Sequence, residues 1–242
     1  MKPSIKTKKA IFGLISGLLL TAAGSGSSSA QTTQVALATP LGEIRVELYE
    51  DKLATVGNFL AYLNGGRYAN SFSHRLVPGF VFQGGGFYLN GNSVTSVPTF
   101  SPIVNEYAVG QIRSNSYGTL AMARQGGVVN SATSQWFLNL NDNSGLDAVD
   151  GGFTVFGHVV AGLDVLSLYN TTFNQGSTGG RAVYNAASAL GSAFGELPLL
   201  AGSLSTTNLI YTTWSVVPEP TTAISLLFSL GLLASRRNRK PL

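Results

Sequence analysis

The stretch "SFSHRLVPGFVFQGGGF" (71–87) holds the residues with the most evident chemical use in this chain. Arg75 lies in an apolar, alternating run, and Gln83 follows it across Val77-Pro78-Gly79. Arginine is seldom set in so apolar a run without a partner, and no acidic residue stands within ten positions of it. A hairpin about Pro78-Gly79 brings the strands of Arg75 and Gln83 together. Phe80, Phe82, Phe87, Trp136, Phe137, Phe153 and Phe156 supply apolar wall. A guanidinium stays charged, and its planar fork is pre-organised. Two uses are open: a surface salt bridge above an aromatic core, or a cationic donor facing an apolar groove.

Other chemistries find few residues. With no cysteine and only His74 and His158, a thiolate or histidine zinc site has no ligand set. There is no G-x-S-x-G nucleophile elbow. Gly84-Gly85-Gly86 is followed by no Gly-Lys-Ser/Thr, so nucleotide binding is not supported. Asp147 and Asp150 flank a turn, where aspartate is ordinary. No cofactor and no metal are implied.

The elements that must hold Arg75 and Gln83 read as mostly short strands. "GEIRVELYE" (42–50) alternates Ile44, Val46 and Leu48 with Glu43, Arg45 and Glu47, a strand with one wet face. "LATVGNFLAYLNGG" (53–66) spaces Val56, Phe59, Leu60 and Leu63 as a helix, stopped by Gly65-Gly66. "YGTLAMAR" (117–124), "SQWFLNL" (134–140), "FTVFGHVV" (153–160) and "TTNLIYTTWSVV" (206–217) read as strands, and "AGLDVLSLY" (161–169) as a short helix. Residues 31–40 read as an exposed lead-in, 88–117 as loop, and 170–205 as low complexity with loose periodicity. The pattern predicts a mainly β protein, a closed or nearly closed barrel capped by two helices.

Composition agrees: 11% charged residues and 29 glycines favour a turn-rich β domain. The formal charge of +4 comes from the ends, because Lys2, Lys6, Lys8, Lys9, Arg236, Arg237, Arg239 and Lys240 make up eight of the fifteen basic residues. Residues 31–217 keep seven basic side chains against ten acidic, a net of −3, which gives no electrostatic case for nucleic acid. Residues 1–30 have a basic start, the apolar run "AIFGLISGLLLTAAG" and small residues ending at Ala30, the pattern of a secretory signal peptide. The tail places Val217-Pro218-Glu219-Pro220 before an apolar run, Ala223–Ala234, and the basic cluster Arg236-Arg237-Asn238-Arg239-Lys240. Even over 221–235 that run barely crosses a thin bilayer. Residues 218–242 resemble the PEP-CTERM sorting signal of Gram-negative bacteria. The resemblance implies recognition by an exosortase near the Pro-Glu-Pro motif and transient anchoring in the inner membrane. It also implies export to the periplasm, envelope or cell surface.

"SFSHRLVPGFVFQGGGF", followed by "YGTLAMAR", "NSATSQWFLNLNDNSGLD" and "FTVFGHVVAGLDVL", resembles the cyclophilin family of peptidyl-prolyl cis-trans isomerases over about 42–170, and more weakly to 217. The resemblance implies an eight-stranded antiparallel barrel capped by two helices, over 31–217. It gives Arg75 as the catalytic arginine, Phe80 as a wall of the proline pocket and Gln83 as a contact to substrate backbone. Val81 falls where many members have methionine. Met122 and Ala123 fall beside the groove, and Arg124 where an asparagine backbone often binds substrate. Gln135 matches a groove glutamine, and Phe137 and Leu146 the floor and side of the pocket. Two positions depart from the pattern. Gly145 stands where many members carry tryptophan or another aromatic. Phe153 aligns, after a small insertion at 149–152, where animal members have histidine.

The resemblance thus implies an isomerase, acting as a monomer on proline-containing polypeptides among exported proteins and assisting their folding. A proline-peptide binding module with little turnover is the alternative, motivated by Gly145 and the 170–205 stretch.

Overall fold

The computed structural model describes residues 32–175 and 180–218. The expected leader (1–30), the sorting signal beyond Pro218 with its apolar segment at 221–235, and positions 176–179 of the low-complexity stretch lie outside the described residues. Among the described residues no helix is long and apolar enough to cross a membrane.

The chain opens with β1 (Gln34–Thr39) and β2 (Gly42–Leu48), an antiparallel pair with Leu37 opposite Ile44. The expected lead-in is therefore a strand, paired on both sides, with Val35 and Leu37 fully buried. Its small alanines blur the alternation that marks β2. Helix α1 (Leu53–Asn64) follows and buries Thr55, Phe59 and Tyr62, at the i, i+4, i+7 spacing of one helical face. Next come β3 (Arg75–Val77), β4 (Val81–Gly84), and the hairpin of β5 (Phe87–Asn90) and β6 (Ser93–Ser96). The hairpin lies in the stretch expected to be loop; its tight turn has Gly91 at φ +59°. The expected strands are β7 (Thr119–Met122), β8 (Trp136–Asn139) and β9 (Val155–Ala161), and the late helix is α2 (Leu163–Thr171). Last come β10 (Asn174–Gln175), β11 (Ala182–Tyr184), the single turn α3 (Ala187–Leu190), β12 (Leu197–Leu199) and β13 (Thr213–Val216).

Eight strands form one antiparallel sheet in the order β13-β1-β2-β9-β7-β8-β4-β3. The expected eight-stranded architecture is present, but "closed" overstates it. The edge strands β13 and β3 share no ladder. The gap is bridged just before them, where Phe72 meets Tyr211, Ser73 N donates to Ile210 O at 2.8 Å and Thr212 N donates to Ser71 O at 2.9 Å. The remaining edge of β3 is covered by the C-terminal segment, with Leu76 N donating to Glu196 O at 2.8 Å.

Alternation along the strands sorts side chains to two faces. Leu120, Met122, Trp136, Leu138, Phe82 and Phe156 turn into the main core with Phe59 of α1 and Tyr169 of α2. Each such aromatic, fully buried, contributes about 1.5–3 kcal/mol. Val81, Ala121, Phe137 and Val155 turn the other way and form a separate apolar cluster on the outer face of the sheet. A third cluster, with Phe72, Phe194, Leu197 and Leu199, ties the C-terminal segment to the β5–β6 hairpin.

Candidate active site

The outer cluster is the floor of a groove. Strand register puts Arg75 opposite Gln83, Gln83 opposite Phe137, Phe137 opposite Ala121, and Ala121 opposite Val155. One row across five strands thus runs from a cation through an amide to an apolar floor. The Val77–Phe80 turn joins β3 and β4 and is closed by Phe80 N donating to Val77 O at 2.9 Å. It carries Pro78 where φ is pre-set and Gly79 at φ +76°, as such a turn requires. Leu146 reaches the groove from a 3-10 turn at Ser144–Ala148. Asn143 locks that turn, donating to Phe80 O and to Asn139 Oδ1, both at 2.7 Å.

Arg75, Phe80, Val81, Gln83, Ala123, Arg124, Phe137, Leu146 and Phe153 line one cavity of about 180 Å³. Gln135 lines an adjoining polar cavity of about 270 Å³ that shares Gln83, Ala123 and Arg124 with the first. Gln83 Nε2 donates to Gln135 Oε1 at 2.9 Å across that border. Met122 is not brought to the groove. It pairs with Trp136 and belongs to the main core, because period-two alternation sends Ala121 and Ala123 outward and Met122 inward. The glycine run clears space behind the groove: a Cβ on Gly84 would stand 2.6 Å from the Trp136 ring, and one on Gly86 2.9 Å from the Gln135 amide.

Arg75 is not alone. Its Nε donates to Glu196 Oε2 at 2.6 Å, and its Cζ lies 5.6 Å from the Phe80 ring centroid. Both ends of the ion pair are about a third exposed, so its contribution to stability is only about 0–1 kcal/mol. Among the described residues the two terminal guanidinium nitrogens of Arg75 have no hydrogen-bond partner. Glu196 is not legible as a partner in the sequence; it lies 121 positions away, in the low-complexity stretch.

Arg124 is a cation of a different kind. Its side chain is almost wholly buried, with the guanidinium 4.2 Å from the Phe153 ring centroid. Nη2 donates to Val149 O and Asp150 O at 3.0 Å and to Gly152 O at 3.3 Å. It therefore holds the insertion that delivers Phe153 to the groove, where Phe153 meets Phe137 edge-on at 5.9 Å. His74 sits behind Gln135; burial first, then the Arg75 charge, pushes its pKa down to about 4, partly offset by the Gln135 side chain. Gly145 is exposed, and open space surrounds the place a side chain would take.

The site is thus an apolar slot with one forward-facing cationic donor and two tethered amides, fit to hold an uncharged ring and its flanking peptide. The family described as cyclophilin type peptidyl-prolyl cis-trans isomerase/CLD matches residues 34–185. The PEP-CTERM protein-sorting motif matches residues 216–240, which marks an exported protein with a C-terminal sorting signal. A peptidyl-prolyl cis-trans isomerase of Acinetobacter baylyi is 40% identical over 156 residues, 63% of this chain and 77% of that one. Peptidyl-prolyl cis-trans isomerase B of Escherichia coli is 41% identical over 131 residues, 52% of this chain and 76% of that one. A crystal structure of a Cryptosporidium parvum cyclophilin type isomerase shares the fold, with a TM-score of 0.52 at 18% identity, over 78% of this chain and 100% of that one. The chain belongs to the cyclophilin family of peptidyl-prolyl cis-trans isomerases.

Proposed function

We propose that this isomerase turns X-Pro bonds in the groove of Arg75, Phe80 and Gln83. The observation that carries the reading is the convergence of those three with Val81, Ala123, Phe137, Leu146 and Phe153 on one cavity, with the terminal nitrogens of Arg75 turned to no other partner among the described residues. The X-Pro bond is held by amide resonance, with a barrier of about 18–20 kcal/mol. Uncatalysed exchange takes tens to hundreds of seconds. In the twisted transition state the proline nitrogen becomes pyramidal and gains a lone pair. A fixed guanidinium aimed at that nitrogen stabilises the twisted amide more than either planar form, which is differential binding of the transition state. Phe137, Val81, Leu146 and Phe153 hold the ring against the floor while the preceding carbonyl rotates. Gln83, braced by Gln135, restrains the substrate backbone. No proton changes hands.

The chain's substrates are proline-containing segments of exported proteins, whose folding it assists in the envelope of a Gram-negative bacterium. The working unit is a monomeric domain over 31–217. A leader at 1–30 directs export, and the tail at 218–242 is processed by an exosortase after transient anchoring through 221–235. Mass spectrometry of the mature protein checks the last step: residues 221–242 still attached make the tail a permanent anchor.

The test of the site is proline exchange, followed by NMR or by a coupled protease, with Arg75→Ala alongside. The expected result is acceleration by the native chain and a loss of about 10²–10³-fold in the variant, as for removal of one transition-state donor. Native-like turnover by Arg75→Ala refutes the role. Binding without acceleration by the native chain makes it a proline-peptide module instead.

A further inference from the structure

We propose that Glu196 is a positioning residue for Arg75, a carboxylate supplied by the C-terminal segment that fixes the guanidinium through Nε and leaves its terminal nitrogens to face the groove. The proposal rests on the reading of Arg75 as the donor to the twisted amide. Glu196 lies beyond residue 185, where the match to the family ends.

Three observations carry it. First, Glu196 grips β3 twice: its carbonyl accepts from Leu76 N at 2.8 Å, and its carboxylate accepts from Arg75 Nε at 2.6 Å. The side chain therefore starts from a backbone already registered to the strand it serves. Second, that backbone is firmly mounted. Phe194 and Leu197, on either side of it, are buried in the C-terminal apolar cluster, and β12 pairs with β11. Third, Glu196 does not line the cavity, so it reaches the chemistry only through Arg75. The exposed pair of Arg45 with Glu43 is different, since it joins neighbours two positions apart on one strand and serves no groove.

The physical role follows from the demands on a transition-state donor. An arginine side chain has several freely rotating bonds, and a misaim of about 1 Å at a reacting centre lowers the rate by about a hundredfold. Engaging Nε leaves the charge in place and removes most of that freedom, while the opposite edge stays available. An ion pair about a third exposed adds little to stability, so its loss registers in catalysis rather than in folding.

The experiment uses the full chain and a proline-containing tetrapeptide in an exchange assay, with Glu196→Ala, Glu196→Gln, Arg75→Ala and the double variant. Glu196→Ala is expected to lower kcat about ten- to a hundredfold with KM little changed. Glu196→Gln, which keeps an acceptor oxygen, recovers most of that loss. In the Arg75→Ala background Glu196→Ala adds no further loss. The NMR signal of the Arg75 Nε–H is expected to move and broaden in Glu196→Ala and to persist in Glu196→Gln. Native kcat in Glu196→Ala beside an inactive Arg75→Ala overturns the positioning role and leaves Arg75 as the donor. An active Arg75→Ala overturns both. Equal losses from Glu196→Ala with and without Arg75 also overturn the proposal, because the effect then does not pass through the arginine.

Discussion

The Gln83 amide donates to the Gln135 side-chain carbonyl at 2.9 Å, so the two glutamine side chains of the groove hold each other. Gln135 in turn packs over Gly86 and against the buried ring of His74. The Gln83 amide, proposed to meet substrate backbone, is thus braced by Gln135, behind which lies a histidine that lines neither cavity.

That histidine sets a pH dependence of stability. Burial pushes the His74 pKa from 6.5 down to about 4. Between those values the unfolded chain binds a proton that the folded chain refuses, so stability is full above about pH 6.5 and declines as the pH falls toward 4. The total decline from this group is about 3 kcal/mol, with no further loss from it below the folded value. Urea unfolding at a series of pH values measures it, and His74→Gln is expected to flatten the slope. A slope that persists in the variant assigns it to another group.

Strand parity separates two neighbours. Ala123 lines both cavities of the groove, while Met122 points into the main core. Ala123→Leu is expected to fill the slot and raise KM at least tenfold while the protein still melts cooperatively. Met122→Leu conserves volume; it shifts stability by less than about 1.5 kcal/mol and leaves kcat/KM unchanged. Steady-state exchange kinetics on both decide whether the groove or the core owns position 122.

How far the site is readable from the chain depends on how local each signal is. Arg75, Phe80 and Gln83 sit within nine consecutive positions around one turn, and their register follows from the hairpin itself. Leu146 and Phe153 arrive on a turn and an insertion, yet both line the cavity, because both lie in the connection from β8 to β9, strands that pair with β7 on either side of the groove floor. The motif sets Met122 beside the groove, one position off, which in a strand is a whole face. Strand β1 escapes the pattern because Ala36 and Ala38 flank Leu37 without the polar contrast that marks β2. The C-terminal segment builds its cluster from elements of three or four residues, too short to show any period, and so Glu196 gives no sign of its partner.

Gly145 offers a gain rather than a loss. It is the second residue of the Ser144–Ala148 turn, beside Leu146; its φ is not positive, and nothing lies within 4 Å of the position a Cβ would take. Gly145→Trp is therefore expected to fold with stability changed by less than about 0.5 kcal/mol. The added ring stands beside Leu146, which lines the groove, and is expected to extend that wall. Affinity for a proline-containing peptide is expected to rise several-fold by titration calorimetry, with its turnover little altered. Unchanged affinity places the ring away from the ligand.

Substitution of Arg124 is expected to change stability and substrate binding together. Three carbonyls of the 149–152 insertion converge on its Nη2, Asp150 Oδ2 lies 3.7 Å from Nη1, and the guanidinium covers Phe153. Asp150 itself sits at φ +47°, a conformation that needs support from its surroundings. Removing the guanidinium takes the donor from these three carbonyls; those of Val149 and Asp150 are exposed and regain water, so the loss is the net contribution of the hydrogen bonds, about 0.5–1.5 kcal/mol each. Arg124→Ala is expected to destabilise the protein by about 2–4 kcal/mol and to raise KM, because the Phe153 wall loses both its mount and the cation above it. Arg124→Lys keeps the charge and can set one nitrogen toward the three carbonyls that meet Nη2, but it has no planar guanidinium to cover the Phe153 ring; it is expected to recover more of the stability than of the KM. Thermal melting with exchange kinetics on the two variants tests the coupling. If KM stays native while stability falls, the insertion is a structural appendage, and Phe153 keeps its place without it.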